Sequence, residues 1–182
     1  MDSRKLELIQ LLEKAECLKL GEFTLKSGKK SNYYVDLRQV TVEPFRLIVD
    51  LVKEEVESIC KVRNKPVALT GVPYGVVPVA GAVAYASSLQ YYPVRKETKD
   101  YGNNQDMNLQ GHEFILIEDV MSSGGSIIET IQKMSDKKVI AVIVVVDRES
   151  GGQEKLNDSY PDVEVRSLLK ASEILDKLNK RV

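Results

Sequence analysis

Residues 139–146, Val-Ile-Ala-Val-Ile-Val-Val-Val, are apolar at every position. β-Branched side chains lose little in an extended backbone and crowd a helix, so this run is a strand. A strand without polar alternation is covered on both faces, the habit of parallel sheets. Residues 66–69 and 114–117 have the same character. Helical segments are predicted between the runs, at 76–88 and 126–134. A strand is expected at 91–95 and a last helix at 171–180. Apolar strands alternating with helices predict an α/β fold, a central and mainly parallel sheet flanked by helices. Ligands bind such sheets at the carboxyl ends of the strands, so the loops after Leu69, Arg95, Ile117 and Val146 should share one rim.

The first 60 residues stand outside this repeat. Leu6, Ile9, Leu12 and Leu18 have helical spacing over 3–20, with Ser3 as N-cap and Gly21 as the stop. Two short strands are predicted at 23–25 and 33–37, around the turn Ser27-Gly28-Lys29-Lys30. A second amphipathic helix is expected over 44–60, with Phe45, Ile48, Leu51, Val52 and Val56 on one side. The N-terminal helix and the hairpin would cap the rim.

Charge and composition remove several function classes. The 26 basic and 27 acidic residues nearly cancel, so nothing draws the whole chain to nucleic acid or a membrane. No apolar leader follows Met1, and no apolar run approaches the roughly 20 residues of a membrane helix. A cytoplasmic protein is expected, with Cys17 and Cys60 as buried reduced thiols. A single histidine, His112, argues against a zinc site and is read as structural.

The chemistry concentrates at 117–126, Ile-Glu-Asp-Val-Met-Ser-Ser-Gly-Gly-Ser. An apolar strand delivers two acids, then two serines and two glycines lead into a helix. Glycine lets the backbone approach a ligand, and the free amides of a helix start favour an anion. Ser122, Ser123 and Ser126 can donate to the same oxygens. Glu118 and Asp119 would repel a phosphate and suit sugar hydroxyls or a hydrated divalent ion. A Walker loop would need Lys where Ser126 stands. The competing reading is a strand-to-helix turn whose Asp and Ser only cap the helix.

This segment resembles the phosphoribosyl-pyrophosphate motif of the type I phosphoribosyltransferases. Four more segments resemble the orotate-specific branch of that family, in the family's order: residues 23–31 (Phe-Thr-Leu-Lys-Ser-Gly-Lys-Lys-Ser), 71–75 (Gly-Val-Pro-Tyr-Gly), 95–102 (Arg-Lys-Glu-Thr-Lys-Asp-Tyr-Gly) and 147–152 (Asp-Arg-Glu-Ser-Gly-Gly). The Lys-Asp-Tyr-Gly form looks most like the transferase half of the bifunctional UMP synthases. The resemblance implies one type I phosphoribosyltransferase domain over 1–182, with residues 1–40 as a small hood and 65–150 as the phosphoribosyl pyrophosphate-binding core. It implies transfer of ribose 5-phosphate to orotate, giving orotidine 5′-monophosphate and pyrophosphate in UMP biosynthesis. Such a transfer needs cations and Mg²⁺ around the leaving group, the metal held by substrate and water, more than it needs a nucleophile.

Residue by residue, the resemblance puts Glu118 and Asp119 on the ribose hydroxyls and Ser122, Ser123, Gly124, Gly125 and Ser126 on the 5′-phosphate, with Val120 and Met121 also among the residues that bind phosphoribosyl pyrophosphate. Many members have Asp where Glu118 stands. Arg95, Lys96 and Lys99 form a cationic lid with Tyr101, where bacterial-type members have His. Lys99 is the main catalytic cation expected, with Lys96 and Asp119. In the family the lid, here 95–104, enters the partner subunit's site, which implies a homodimer. The alternative is a solvated surface run. Residues 71–75 match the pyrophosphate loop, and some members have Lys where Gly75 stands. Tyr74 lines the site or is a packed loop aromatic.

Arg148 is the expected carboxylate fork for orotate, or else pairs with Asp147 or Glu149. Lys26 and Ser122 join it, with Tyr34 as a ring wall or a core residue. Two other functions share the motif: transfer to another base, and non-catalytic sensing of phosphoribosyl pyrophosphate by a transcriptional regulator.

Overall fold

A computed structural model of the chain describes residues 2–24, 30–95 and 109–179. Within them the order is α1 Ser3–Lys14, β1 Leu18–Thr24, β2 Lys30–Val35, α2 Val42–Cys60, β3 Val67–Gly71, α3 Val77–Ala86, β4 Gln90–Tyr91, β5 Glu113–Met121, α4 Gly125–Lys133, β6 Lys138–Asp147, α5 Gly152–Ser159, β7 Glu164–Lys170 and α6 Ala171–Asn179.

β6 lies mid-sheet, buried from Ile140 onward. The strand order is β4-β3-β5-β6-β7, with every pair parallel. Successive side chains of one strand enter different cores. Ile115, Ile117, Ile143 and Val145 join a cluster with Leu8 and Leu12 of α1, Ile48 and Val52 of α2, Val83 of α3 and Ile174 of α6. Phe114, Leu116, Val142 and Val144 join the opposite cluster, with Ile127 and Ile131 of α4 and Leu156 of α5. This two-sided burial is why the strands read as unbroken apolar runs. Each such side chain contributes about 1.5–3 kcal/mol when fully buried.

The N-terminal elements differ from the sequence expectation. α1 is shorter than 3–20, and Asp2, rather than Ser3, caps it by accepting from the Arg4 N–H at 3.1 Å. The helix stops at a Schellman turn: Glu16 is left-handed at φ 57°, and the N–H groups of Glu16 and Cys17 donate to the carbonyls of Glu13 and Leu12. Leu18 therefore begins β1, and Gly21 lies inside that strand. β1 pairs antiparallel with β2 through a register shift between Leu20 and Phe23. Cys17 is buried and Cys60 half-buried, and burial raises both thiols above their ordinary range, which leaves them poor nucleophiles.

Elsewhere β4 has two residues in place of the strand expected at 91–95, although the Tyr92 N–H still donates to Leu69. β5 runs on to Met121. α5 and β7 have no counterpart in the sequence expectation. α5 buries only Gly152 and Leu156, and β7 is an edge strand with two buried residues, so neither carries a periodic apolar signal.

Candidate active site

The carboxyl ends of β3, β5 and β6 form one rim. The β5–β6 ladder extends through Val120↔Val146 and Met121↔Asp147, and the Arg148 N–H then donates to the Met121 carbonyl at 2.9 Å. So Glu118 to Met121, expected as loop, are strand. Glu118 is buried and Asp119 half-buried. The Asp119 N–H donates to Glu118 Oε1 at 3.1 Å, and the Val120 N–H to Asp119 Oδ1 at 2.8 Å. The loop proper is short, Ser122 to Gly124.

Gly124 is left-handed, φ 70°, and α4 starts directly after it. Ser123, Gly125 and Ser126 are exposed there, Ser122 half-exposed. The first amides of α4 have no partner within their helix. Hydroxyls and amides are thus gathered at one helix start, the arrangement that serves as an anion cradle.

That cradle rests on backbone. A Cβ on Gly152 would lie 2.5 Å from the Ser122 carbonyl oxygen, 2.8 Å from Met121 Cγ and 3.0 Å from the Gly124 nitrogen. A Cβ on Gly124 would meet the Gly152 carbonyl oxygen at 3.1 Å. The Ser122–Gly124 loop and the start of α5 interlock at a distance only two glycines allow.

The turn between β6 and α5 divides its labour. Asp147 Oδ1 accepts the Glu149 N–H at 2.8 Å. Burial pushes the Asp147 carboxyl above its usual range, against the pull of that bond. Glu149, at φ 51°, reaches away and accepts the Ser172 N–H at 2.7 Å, capping α6. Arg148 pairs with neither acid. Its Nη2 donates to Ser31 Oγ at 3.0 Å, and its guanidinium carbon stands 4.8 Å from the Tyr33 ring centre. The Tyr33 hydroxyl donates back to the Arg148 carbonyl at 3.4 Å. β2 is thereby tied across the end of β6.

Residues 71–75 descend from β3 beside β5, with the Val72 N–H on the Ile117 carbonyl at 2.9 Å. The Pro73–Tyr74 peptide is cis, and Tyr74 is exposed. Gly75 faces Asp119: a Cβ there would collide with its carboxylate. Arg95 lines a narrow crevice with Val72, Pro73 and Ser126, so the start of the cationic segment lies between the loop and α4.

The family model of the phosphoribosyl transferase domain matches residues 41–175. Curated relatives include the orotate phosphoribosyltransferase of Methanocaldococcus jannaschii, 34% identical over 94% of this chain and 97% of its own. That of Pyrococcus horikoshii is 36% identical over 92% and 95%. The chain belongs to the orotate phosphoribosyltransferase family. Among solved structures, the family's Aeropyrum pernix enzyme superposes with a TM-score of 0.75 at 26% identity, covering 94% of this chain and 99% of that one. Leishmania donovani UMP synthase superposes at 0.76 and 26%, covering 97% of this chain and 38% of its own length.

In this family member the rim gathers Glu118, Asp119, Val120, Met121, the Ser122–Ser126 cradle, Tyr74, Arg95 and Arg148. Lys26, Lys96, Lys99 and Tyr101 lie outside the described residues. Tyr34 is placed differently from Tyr33. It packs on Phe23 with ring centres 5.4 Å apart, and its hydroxyl donates to Asp36 at 3.3 Å. Ser31, Tyr33, Arg38 and Gly152 were not singled out from the sequence. Ser31 and Gly152 lay in matched segments, while choosing Tyr33 over Tyr34 needs the strand's phase. His112 lies at the other end of the sheet, where Lys65, Glu113 and Lys138 also line a cavity of about 530 Å³. Among the described residues, no helix is long and apolar enough to cross a membrane.

Proposed function

We propose that the protein transfers the 5-phosphoribosyl group of phosphoribosyl pyrophosphate to N1 of orotate, releasing pyrophosphate, in pyrimidine biosynthesis. The observation that carries the reading is Arg148, fixed beside Tyr33 and Ser31 one strand from the anion cradle. A guanidinium fork suits a carboxylate, and Ser31 and the buried Tyr33 hold this one in place. It lies beside the loop read here as the seat of a phosphorylated sugar.

In this reading the Ser122–Ser126 cradle holds the 5′-phosphate. Asp119, with Glu118 behind it, takes the ribose hydroxyls, and its negative charge favours the oxocarbenium character that develops as the anomeric bond opens. Arg95, with Lys96 and Lys99, balances the charge growing on pyrophosphate, and Lys99 is the main cation. Tyr101 serves as a hydrogen-bond donor, since a phenol, which ordinarily titrates near pH ~10, stays protonated at neutral pH. Arg148, Lys26 and Ser122 hold orotate, with Tyr34 as its wall. Mg²⁺ fits this site, whose carboxylate oxygens are the donors it prefers, and when bound on substrate and water it offsets the pyrophosphate charge.

The reading extends to a homodimer whose 95–104 lids cross into the partner's site. Its support is the outer face of α3. Residues 66–94 include no charged side chain, and Pro78, Tyr85 and Ala86 are exposed there, Tyr85 at 90%. A cytoplasmic location follows from substrates of central metabolism.

The test is turnover of phosphoribosyl pyrophosphate with orotate, uracil, adenine and hypoxanthine, with and without Mg²⁺. Orotidine 5′-monophosphate is expected only from orotate, and only with the metal. Turnover of a purine in its place, or binding without turnover of any base, overturns the assignment. Loss of turnover in Lys99→Ala is expected as well.

A further inference from the structure

The loop at 71–75 has no cation of its own, because the uncharged stretch 66–94 contains it. A diphosphate lying along that loop must take its side-chain donors from elsewhere. Arg38, between β2 and α2, reaches the spot. Its Cγ is 3.6 Å from the point where a Cβ on Gly75 would stand, and Asp119 Cγ is 3.2 Å from the same point. The bare Gly75 therefore lets the Arg38 stem and the Asp119 carboxylate converge on one patch of the rim.

The head of Arg38 is held in place. Nε donates to Asp36 Oδ1 at 2.8 Å, Nη2 to Asp36 Oδ2 at 2.5 Å, and Nη2 also to the Tyr34 hydroxyl at 3.5 Å. Asp36 Oδ1 accepts the Arg38 backbone N–H at 3.0 Å as well. Hydrogen bonding by Arg38 lowers the Asp36 carboxyl to about 2, so the pair is ionised throughout the neutral range. These contacts use Nε and Nη2 and leave Nη1 without a partner among the described residues. The side chain is still 62% exposed. An ion pair that open contributes little to stability, whereas a guanidinium fixed along one edge presents its other edge at low entropic cost.

We propose that Arg38 is a diphosphate-binding residue, donating from Nη1 to the leaving pyrophosphate over Gly75, with Asp36 and Tyr34 as its positioning residues. This rests on the phosphoribosyl reading above and names a contact within it.

The test separates the diphosphate from the rest of the substrate. Titration calorimetry compares phosphoribosyl pyrophosphate with ribose 5-phosphate, which lacks the diphosphate, on the wild type, Arg38→Ala and Arg38→Lys. Arg38→Ala is expected to weaken phosphoribosyl pyrophosphate at least tenfold and ribose 5-phosphate less than twofold. Arg38→Lys should lose about threefold, since it keeps charge and stem but not the fork. In turnover, the KM for phosphoribosyl pyrophosphate should rise and that for orotate stay. Unchanged affinity for phosphoribosyl pyrophosphate, or equal weakening of both ligands, overturns the proposal. If Arg38→Ala does not fold, Arg38→Gln, which keeps a stem over Gly75, is held to the same criteria. Wild type that binds both ligands yet turns over no orotate refutes the base assignment and leaves Arg38 standing. Wild type that binds neither refutes both.

Discussion

The guanidinium of Arg148 lies over the ring of Tyr33, 4.8 Å from its centre, and so a residue at the end of β6 is oriented by a strand from the N-terminal hairpin. Such a contact is worth about 0.5–2 kcal/mol. Tyr33→Leu is expected to raise the orotate KM roughly two- to thirtyfold, by the same range. Tyr33→Phe keeps the ring and loses only a 3.4 Å hydrogen bond, so it should stay close to wild type. Arg148→Ala should raise the orotate KM with little change for phosphoribosyl pyrophosphate. Equal effects on both substrates would remove Arg148 from the base site.

Gly152→Ala forces a methyl against the Ser122 carbonyl and the Gly124 nitrogen, atoms that cannot swing aside as a side chain does. Overpacking of this kind costs about 1–3 kcal/mol. The melting temperature should fall by about 2–4 °C per kcal/mol at this size. The KM for phosphoribosyl pyrophosphate should rise more than that for orotate. Wild-type activity in Gly152→Ala would show that the interlock does not shape the Ser122–Gly124 loop.

Glu149 accepts the Ser172 N–H at the start of α6. Glu149→Ala removes that cap, at a cost of about 1 kcal/mol. Thermal melts should show a drop of about 2–4 °C. An unchanged melting temperature would mean that solvent replaces the carboxylate without loss.

Glu113 is buried at the amino end of β5, 2.9 Å from Lys138 Nζ and 3.8 Å from Arg63 Nη1. The hydrogen bond from Lys138, then the charges of Lys138, Arg63 and Lys65, hold its carboxyl below the usual range. The folded state thus takes up this proton less readily than the unfolded one. Its stabilisation is complete above the unfolded value of about 4.3. It is lost as pH falls through the lower folded value. Glu113→Gln should be less stable than wild type at pH 7, by about 1 kcal/mol for a bond with one exposed partner. The two should converge in the acid limb of a pH–stability curve. A constant gap down to pH 3 would contradict the assignment.

Much of the rim was legible because it obeys local rules. An unbroken apolar run needs two covered faces, and Gly-Gly after two serines at a strand end gives a tight strand-to-helix turn with free amides. Other features had no local signature. The end of α1 uses left-handed Glu16 where a glycine was the readable stop. β7 is an edge strand with only two of its seven residues buried. Tyr33 and Tyr34 are chemically alike, and a shift of one residue in register would exchange their faces.

By itself, then, the sequence determined the strand-to-helix turn at Ser122–Ser126 and the parallel sheet beneath it. Hydrophobic period and backbone chemistry over a few neighbouring residues dictate both. Tertiary structure alone decided that Tyr33 orients Arg148, that Gly152 carries the cradle, and that Arg38 converges with Asp119 on Gly75. Each is a contact between segments distant in the chain, settled by strand register and by which glycine leaves room for an approaching group.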